Sequence, residues 1–340
     1  MKFWDREKEK EELKAYLKSE PNAILFVYGP KSSGKSTLLN KVVEELPREN
    51  YIYYWYDLRE RVITGYETIL KLFFKKKGWL QRVMEKAPSM FKIPIGAFEF
   101  DASELQEIFN KERDAFEEMR IQLEGNKEKG KTPVIIFDEL QKLRDVYMNG
   151  ENQKPFVKEL FNFFVRLTKV LHLSHVIVMS SDTFFIEEVY SDSTLKNTSR
   201  YYLVDFFDDD IAYNILVNEG IEEKTAKEIV EKSGGVPWIL EEIVESNKPL
   251  STLNELYKET YSKMINILSK AKIQGWYEEA LETFKKLLKN NVNIIDDRQK
   301  IERLIKEEIL FYDPINIKIR FQTRLDEIAA KEFFKGKLFF

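Results

Sequence analysis

The stretch Phe26–Thr37, FVYGPKSSGKST, sets an apolar run against a loop of Gly, Pro, Ser and Lys, and helix formers follow at once. Just upstream, AILFVY (Ala23 to Tyr28) is rich in β-formers. Downstream, SSGKSTLLNKVVEEL reads as a helix with Leu38, Leu39, Val42, Val43 and Leu46 on its buried side. A strand therefore enters a helix through a turn that fits G-x-x-x-x-G-K-[ST] at Gly29, Gly34, Lys35 and Ser36. In such a turn Gly29, Pro30, Lys31, Ser32, Ser33 and Gly34 wrap so that backbone N–H groups converge on a polyphosphate. The helix N-terminus, entered through Lys35, Ser36 and Thr37, adds its partial positive charge. Lys35 reaches the β and γ phosphates, and the Ser36 hydroxyl can ligate Mg²⁺. A polyphosphate with Mg²⁺ is the expected ligand.

With 340 residues the chain is long for one compact core, so appended modules are expected. A formal net charge of -4 advertises no global basic field for nucleic acid. The absence of Cys excludes disulfides, thiol catalysis and Cys-based zinc, and two histidines, His172 and His175, are too few for a structural zinc site. Any metal should be a hard cation on oxygen ligands. No apolar run approaches the roughly 20 residues that cross a bilayer, and MKFWDREKEKEEL lacks the apolar core of a signal peptide. A soluble, cytoplasmic protein without membrane contact is expected.

Asp5 to Lys18 reads as a helix lying on the nucleotide domain, with Leu13, Tyr16 and Leu17 as its stripe. YIYYWYDL (Tyr51 to Leu58) reads as a strand buried on both faces, core packing being favoured over stacking on a base. Residues 64–130 break the alternation of strand and helix. Helical patterns at Tyr66 to Lys86 and Ala102 to Glu124 flank the extended Phe91 to Phe100, an insertion that is either a helical pair on the sheet edge or a reporter of nucleotide state.

PVIIFDEL, Pro133 to Leu140, supplies the second nucleotide motif. Asp138 at the strand's carboxyl end can hold the Mg²⁺ shell, and Glu139 can polarise the attacking water as general base. A helix over Pro155 to Leu171 leads to SHVIVMSSD (Ser174 to Asp182), another buried strand. Where such a strand lies between the P-loop and Asp-Glu strands, its last polar residue can touch the γ-phosphate or the lytic water. Ser180 or Ser181 fills that sensor position, the alternative being a helix cap through Ser181 or Asp182. Arg200 opens RYYLVDFF, a fifth strand, and is a candidate phosphate sensor or a surface ion pair. From Phe206 the pattern is helical, and in SGGVPW Gly234 and Gly235 end one helix while Pro237 starts the next.

FxxREKExxxL at the start (Phe3, Arg6, Glu7, Lys8, Glu9, Leu13), GPKSSGKST, VIIFDELQKL, VIVMSS and GGVPW, in that order, resemble the archaeal ATPase family within the STAND class, related to AAA+ and origin-recognition ATPases. The resemblance is clear over about Lys2 to Asn247. It implies an α/β fold: a doubly wound P-loop sheet of order 5-1-4-3-2, a helical lid and a C-terminal winged helix. The corresponding domains are 1–205, 206–262 and 263–340. It also implies that Pro237, in the Gly-x-Pro turn, sits over the adenine. Relatives in immunity carry an Arg at the strand end where this chain has Ser180 and Ser181.

The C-terminal segment fits a winged helix on its own pattern: helices Trp276 to Lys289 and Asp297 to Glu308, a hairpin in ILFYDPINIKIRF, and a last helix near Leu325 to Phe334. From Lys263 onward 16 Lys or Arg face 12 Asp or Glu, a mild tilt toward DNA. The candidate recognition helix DRQKIERLIKEE is nevertheless balanced, which favours a protein partner, self-association or autoinhibition. The expected activity is slow ATP hydrolysis by a molecular switch, against a non-hydrolysing ATP-bound scaffold, a DNA-binding regulator or, disfavoured by Glu139, a P-loop kinase.

Overall fold

The computed structural model describes residues 4–59, 62–86, 95–148 and 154–336. Phe3 of the N-terminal motif and the first part of the extended 91–100 segment lie outside these residues. The chain divides into two compact units, one of residues 6–28 and 35–203, the other of 4–5, 29–34 and 204 onward.

In the first unit, α1 (Glu7–Lys18) precedes β1 (Ile24–Tyr28), and α2 (Lys35–Glu45) precedes β2 (Tyr51–Asp57). An excursion follows: α3 (Tyr66–Phe73), β3 (Phe74–Lys76), α4 (Trp79–Lys86), β4 (Phe98–Phe100), α5 (Ala102–Phe109) and α6 (Ala115–Glu128). Then come β5 (Thr132–Asp138), α7 (Phe156–Val165) with a π-helical turn over Arg166–Val170, β6 (His175–Ser180), α8 (Thr183–Ser191) and β7 (Ser199–Leu203). Five strands pair in parallel in the order β2-β5-β6-β1-β7, which is the 5-1-4-3-2 order read from the other edge. β1 and β6 are buried throughout, as strands covered on both faces must be.

The register decides where chemistry can occur. Asp57 pairs with Asp138, Asp138 with Met179, and Tyr28 with both Ser180 and Leu203, so the carboxyl ends of all five strands share one edge. Ligands of open α/β sheets bind outside that edge. Lys10 and Lys14 of α1 hold Glu45 at the end of α2 at 3.0 and 2.6 Å, and Tyr51 donates its hydroxyl to the Leu17 carbonyl at 3.2 Å.

Two helical expectations are corrected in the excursion. The pattern over 66–86 is broken because Phe74–Lys76 leaves the helix to pair in parallel with Phe98–Phe100, and Gly78, at φ +78°, turns the chain into α4. The pattern over 102–124 is broken because Lys111 takes a left-handed φ of 63° and Asp114 caps a new helix, accepting from Phe116 N and Glu117 N.

The second unit contains α9 (Asp209–Asn218), α10 (Glu223–Ser233), α11 (Pro237–Glu245), α12 (Pro249–Ile273), α13 (Tyr277–Leu288), α14 (Arg298–Lys306), the antiparallel hairpin β8 (Leu310–Asp313) and β9 (Lys318–Phe321), and α15 (Arg324–Lys335). One buried cluster gathers Ala212, Leu216, Ile229, Ile239, Leu240 and Leu253; a second gathers Leu268, Ala271, Phe284, Leu304, Leu310 and Ala329. The 25-residue α12 serves both and runs unbroken through residues 262–263. Among the described residues, no helix is long and apolar enough to cross a membrane.

Candidate active site

In the first unit, Lys35 and Ser36 open α2 while Asp138 ends β5. The Ser36 hydroxyl donates to Asp138 Oδ2 at 2.7 Å. The two residues the sequence assigns to the metal are thus adjacent. Lys35 is buried, and that burial lowers its ammonium to about 8 despite the nearby Glu139 and Asp138. Burial also raises the Asp138 carboxyl, against the hydrogen bond from Ser36 and the charge of Arg59. Burial thus opposes the charged forms of both groups.

Glu139 stands just past the strand with φ 64° and ψ 47°, a left-handed conformation that costs a non-glycine residue about 1 kcal/mol or more. That geometry is held by neighbours. Its N–H donates to the Met179 carbonyl at 2.9 Å, Ser181 Oγ donates to Glu139 Oε1 at 3.0 Å, and the Gln141 amide donates to Oε2. Ser180 Oγ donates in turn to Gln141 Oε1 at 2.9 Å. The helix-cap alternative for Ser181 is taken by Asp182, whose carboxylate accepts from Phe184 N and Phe185 N at the start of α8.

Arg200 does not join this cluster. It is exposed on β7 and pairs in register with Leu25, three residues or roughly 10 Å short of the carboxyl edge. Two residues were missed by sequence reasoning. Gln141 is the amide that orients Glu139. Arg59 donates through Nη2 to Asp57 Oδ2 at 2.7 Å and to Asp138 Oδ2 at 2.8 Å. An acidic strand end followed two residues later by Arg was the available signal, but it identifies a site only once Asp57 is known to pair with Asp138.

The loop before Lys35 is described in the second unit. Gly29, Ser32 and Gly34 have φ of 153°, 59° and 92°, and the Ser33 N–H donates to the Pro30 carbonyl at 3.2 Å. A Cβ on Gly29 would lie 2.2 Å from the Val204 carbonyl oxygen, so only glycine fits. Lys31 is exposed, its ammonium 2.5 Å from Glu308 Oε1. Pro237 is buried at the first turn of α11. Gly235 before it would place a Cβ 2.0 Å from the Phe207 carbonyl oxygen, because Phe207 and Gly235 form a bridge with a 2.9 Å hydrogen bond.

The chain is 40% identical to an uncharacterised ATP-binding protein of Methanocaldococcus jannaschii over 93% of its own length and 90% of the relative's. It is 34% identical to an uncharacterised ATP-binding protein of Pyrococcus abyssi over 97% and 98%. In structure it is similar to the ORC2 protein of Aeropyrum pernix in its ADPNP-ADP complexes, with a TM-score of 0.52 at 11% identity, covering 98% of this chain and 95% of that one. A family model described as an ATPase domain predominantly from Archaea matches residues 3–243, and the chain belongs to that family of ATP-binding ATPase domains.

Proposed function

We propose that this protein binds Mg-ATP and hydrolyses it slowly to ADP and phosphate, acting in the cytoplasm as a nucleotide-dependent switch. The observation that carries the reading is the 2.7 Å bond between Ser36 Oγ and Asp138 Oδ2, beside a buried Lys35 and a Glu139 held by Ser181. One hydroxyl and one carboxylate suit Mg²⁺, which keeps several waters and completes its shell with substrate phosphates. Among the described residues no cluster of three or more His, Cys, Asp or Glu competes as a metal site. When bound, Mg²⁺ neutralises charge on the β and γ phosphate oxygens.

The chain's own residues supply the rest. Lys35 donates to the same phosphates, whose negative charge favours its ammonium form against the cost of burial. Glu139 takes a proton from water while the water oxygen attacks the γ-phosphorus and the bond to the ADP oxygen breaks. Ser181 and Gln141 hold the Glu139 carboxylate in place, and Ser180 fixes Gln141. Residues 206–262, with Pro237 at the start of α11, are the proposed lid.

Glu139→Gln tests the mechanism. ATP binding measured by calorimetry should survive, while phosphate release should fall about 10²–10⁴-fold, the usual contribution of a general base. Undiminished release would remove Glu139 from the chemistry. An ATP-dependent melting shift in a wild-type protein that releases no phosphate would instead favour the scaffold reading.

For output, the proposed winged helix fits a protein partner better than DNA. Three of the four bases of α14 are already engaged: Arg298 with Glu302 at 2.8 Å, Lys300 with Glu282 at 2.8 Å and Arg303 with Glu279 at 2.7 Å. Such pairs leave little uncompensated positive charge for phosphates.

A further inference from the structure

The sheet edge carries a cation of its own. Beyond β2, the Leu58 N–H still bonds to the Asp138 carbonyl at 3.1 Å, and Asp57 Oδ1 then accepts the Arg59 N–H at 2.9 Å, an Asx turn that folds Arg59 back over the strand ends. From the other side, Lys142 Nζ donates to the Arg59 carbonyl at 3.1 Å. So placed, the guanidinium grips Asp57 through Nε at 3.0 Å and Nη2 at 2.7 Å, and the same Nη2 reaches Asp138 Oδ2 at 2.8 Å. That oxygen is the one that accepts the Ser36 hydroxyl.

Asp57 and Asp138 are register partners, so two carboxylates stand side by side at the ends of neighbouring strands. Asp138 is almost wholly buried, whereas the Arg59 side chain is half exposed. A guanidinium and a divalent metal cannot both occupy one carboxylate oxygen without strong repulsion at close range.

We propose that Arg59 is a built-in counter-cation that competes with the divalent metal for Asp138, and is thereby the positioning residue that sets metal occupancy of the site. Without metal it bridges Asp57 and Asp138. Metal entry requires the guanidinium to leave Asp138, while Asp57 keeps it tethered alongside. This rests on the Mg-ATP reading above and deepens it.

The test uses the full chain in excess over the β,γ-imido analogue of ATP, with Mn²⁺ as the metal probe and free Mn²⁺ read by its paramagnetic resonance signal. Arg59→Gln should bind Mn²⁺ about tenfold more tightly than wild type, the scale expected for removing a partly solvated charge pair. Arg59→Lys, which keeps a charge but loses the fork, should lie between them. Analogue affinity in EDTA should stay within about twofold of wild type, because the proposal gives Arg59 no phosphate contact. Unchanged or weaker Mn²⁺ binding in Arg59→Gln would overturn the proposal. So would a collapse of its analogue affinity in EDTA, which would assign the guanidinium to phosphate. A wild type that binds no analogue under either condition would defeat the nucleotide reading itself, a result separate from both.

Discussion

His175 begins β6 at the sheet end opposite the acidic edge and is wholly buried, its ring 5.0 Å from that of Tyr16. Burial lowers its pKa from an ordinary 6.5 to about 4. An unfolded chain therefore binds a proton that the native state refuses between those values. The stability from neutral His175 is complete above about pH 6.5 and lost as pH falls toward 4, worth about 3 kcal/mol in all. Urea unfolding at pH 7.5 and 4.5 should show that loss in wild type and a smaller one in His175→Phe; equal losses would exonerate the imidazole. That position 175 opens a buried strand was legible in the sequence. Arg59 and Gln141 were not, since each acquires its meaning from a partner that only strand register or a turn brings near: Asp57 beside Asp138, and Glu139 in a left-handed turn.

Among elements, the central strands β1, β5 and β6 were legible because each is a short run of apolar β-formers, closed by the Gly29 turn or by a polar residue. The short strand β3 was not, for three residues make no period and Phe74–Lys76 continues a helical pattern, whereas β4 falls inside the segment read as extended. The long α12 was also missed, although Pro249 at its first turn is the signal that Pro237 gives for α11. Glycines separate elements that tolerate change from those that do not. Gly125 lies inside α6, and a methyl added there would meet nothing within 4 Å, so Gly125→Ala should stabilise by about 0.5–1 kcal/mol. Gly235→Ala would drive its methyl into the Phe207 carbonyl, 2.0 Å away, and should cost about 1–3 kcal/mol. Denaturant midpoints of the two variants should move in opposite directions, and a shared direction would mean that the Phe207–Gly235 bridge yields without penalty.

At the scale of the molecule, charge bears on what the protein can engage. The whole chain carries -4, yet residues from Lys263 onward hold 16 bases against 12 acids. That surplus would favour DNA if the bases were unpaired and gathered on one face. Instead Lys286 holds Asp297 at 2.8 Å and Glu282 at 2.9 Å, Lys300 shares Glu282, and Arg303 holds Glu279. On α15, Arg324 holds Asp209 at 3.0 Å. Each such base must lose a carboxylate before it gains a phosphate, so few counterions would be released on binding duplex. Duplex affinity measured from about 50 to 200 mM salt should therefore be weak and its logarithm should fall with a slope of magnitude below about 3. A steep slope, approaching that of a protein making six or more phosphate contacts, would show that these pairs open and that DNA is the target.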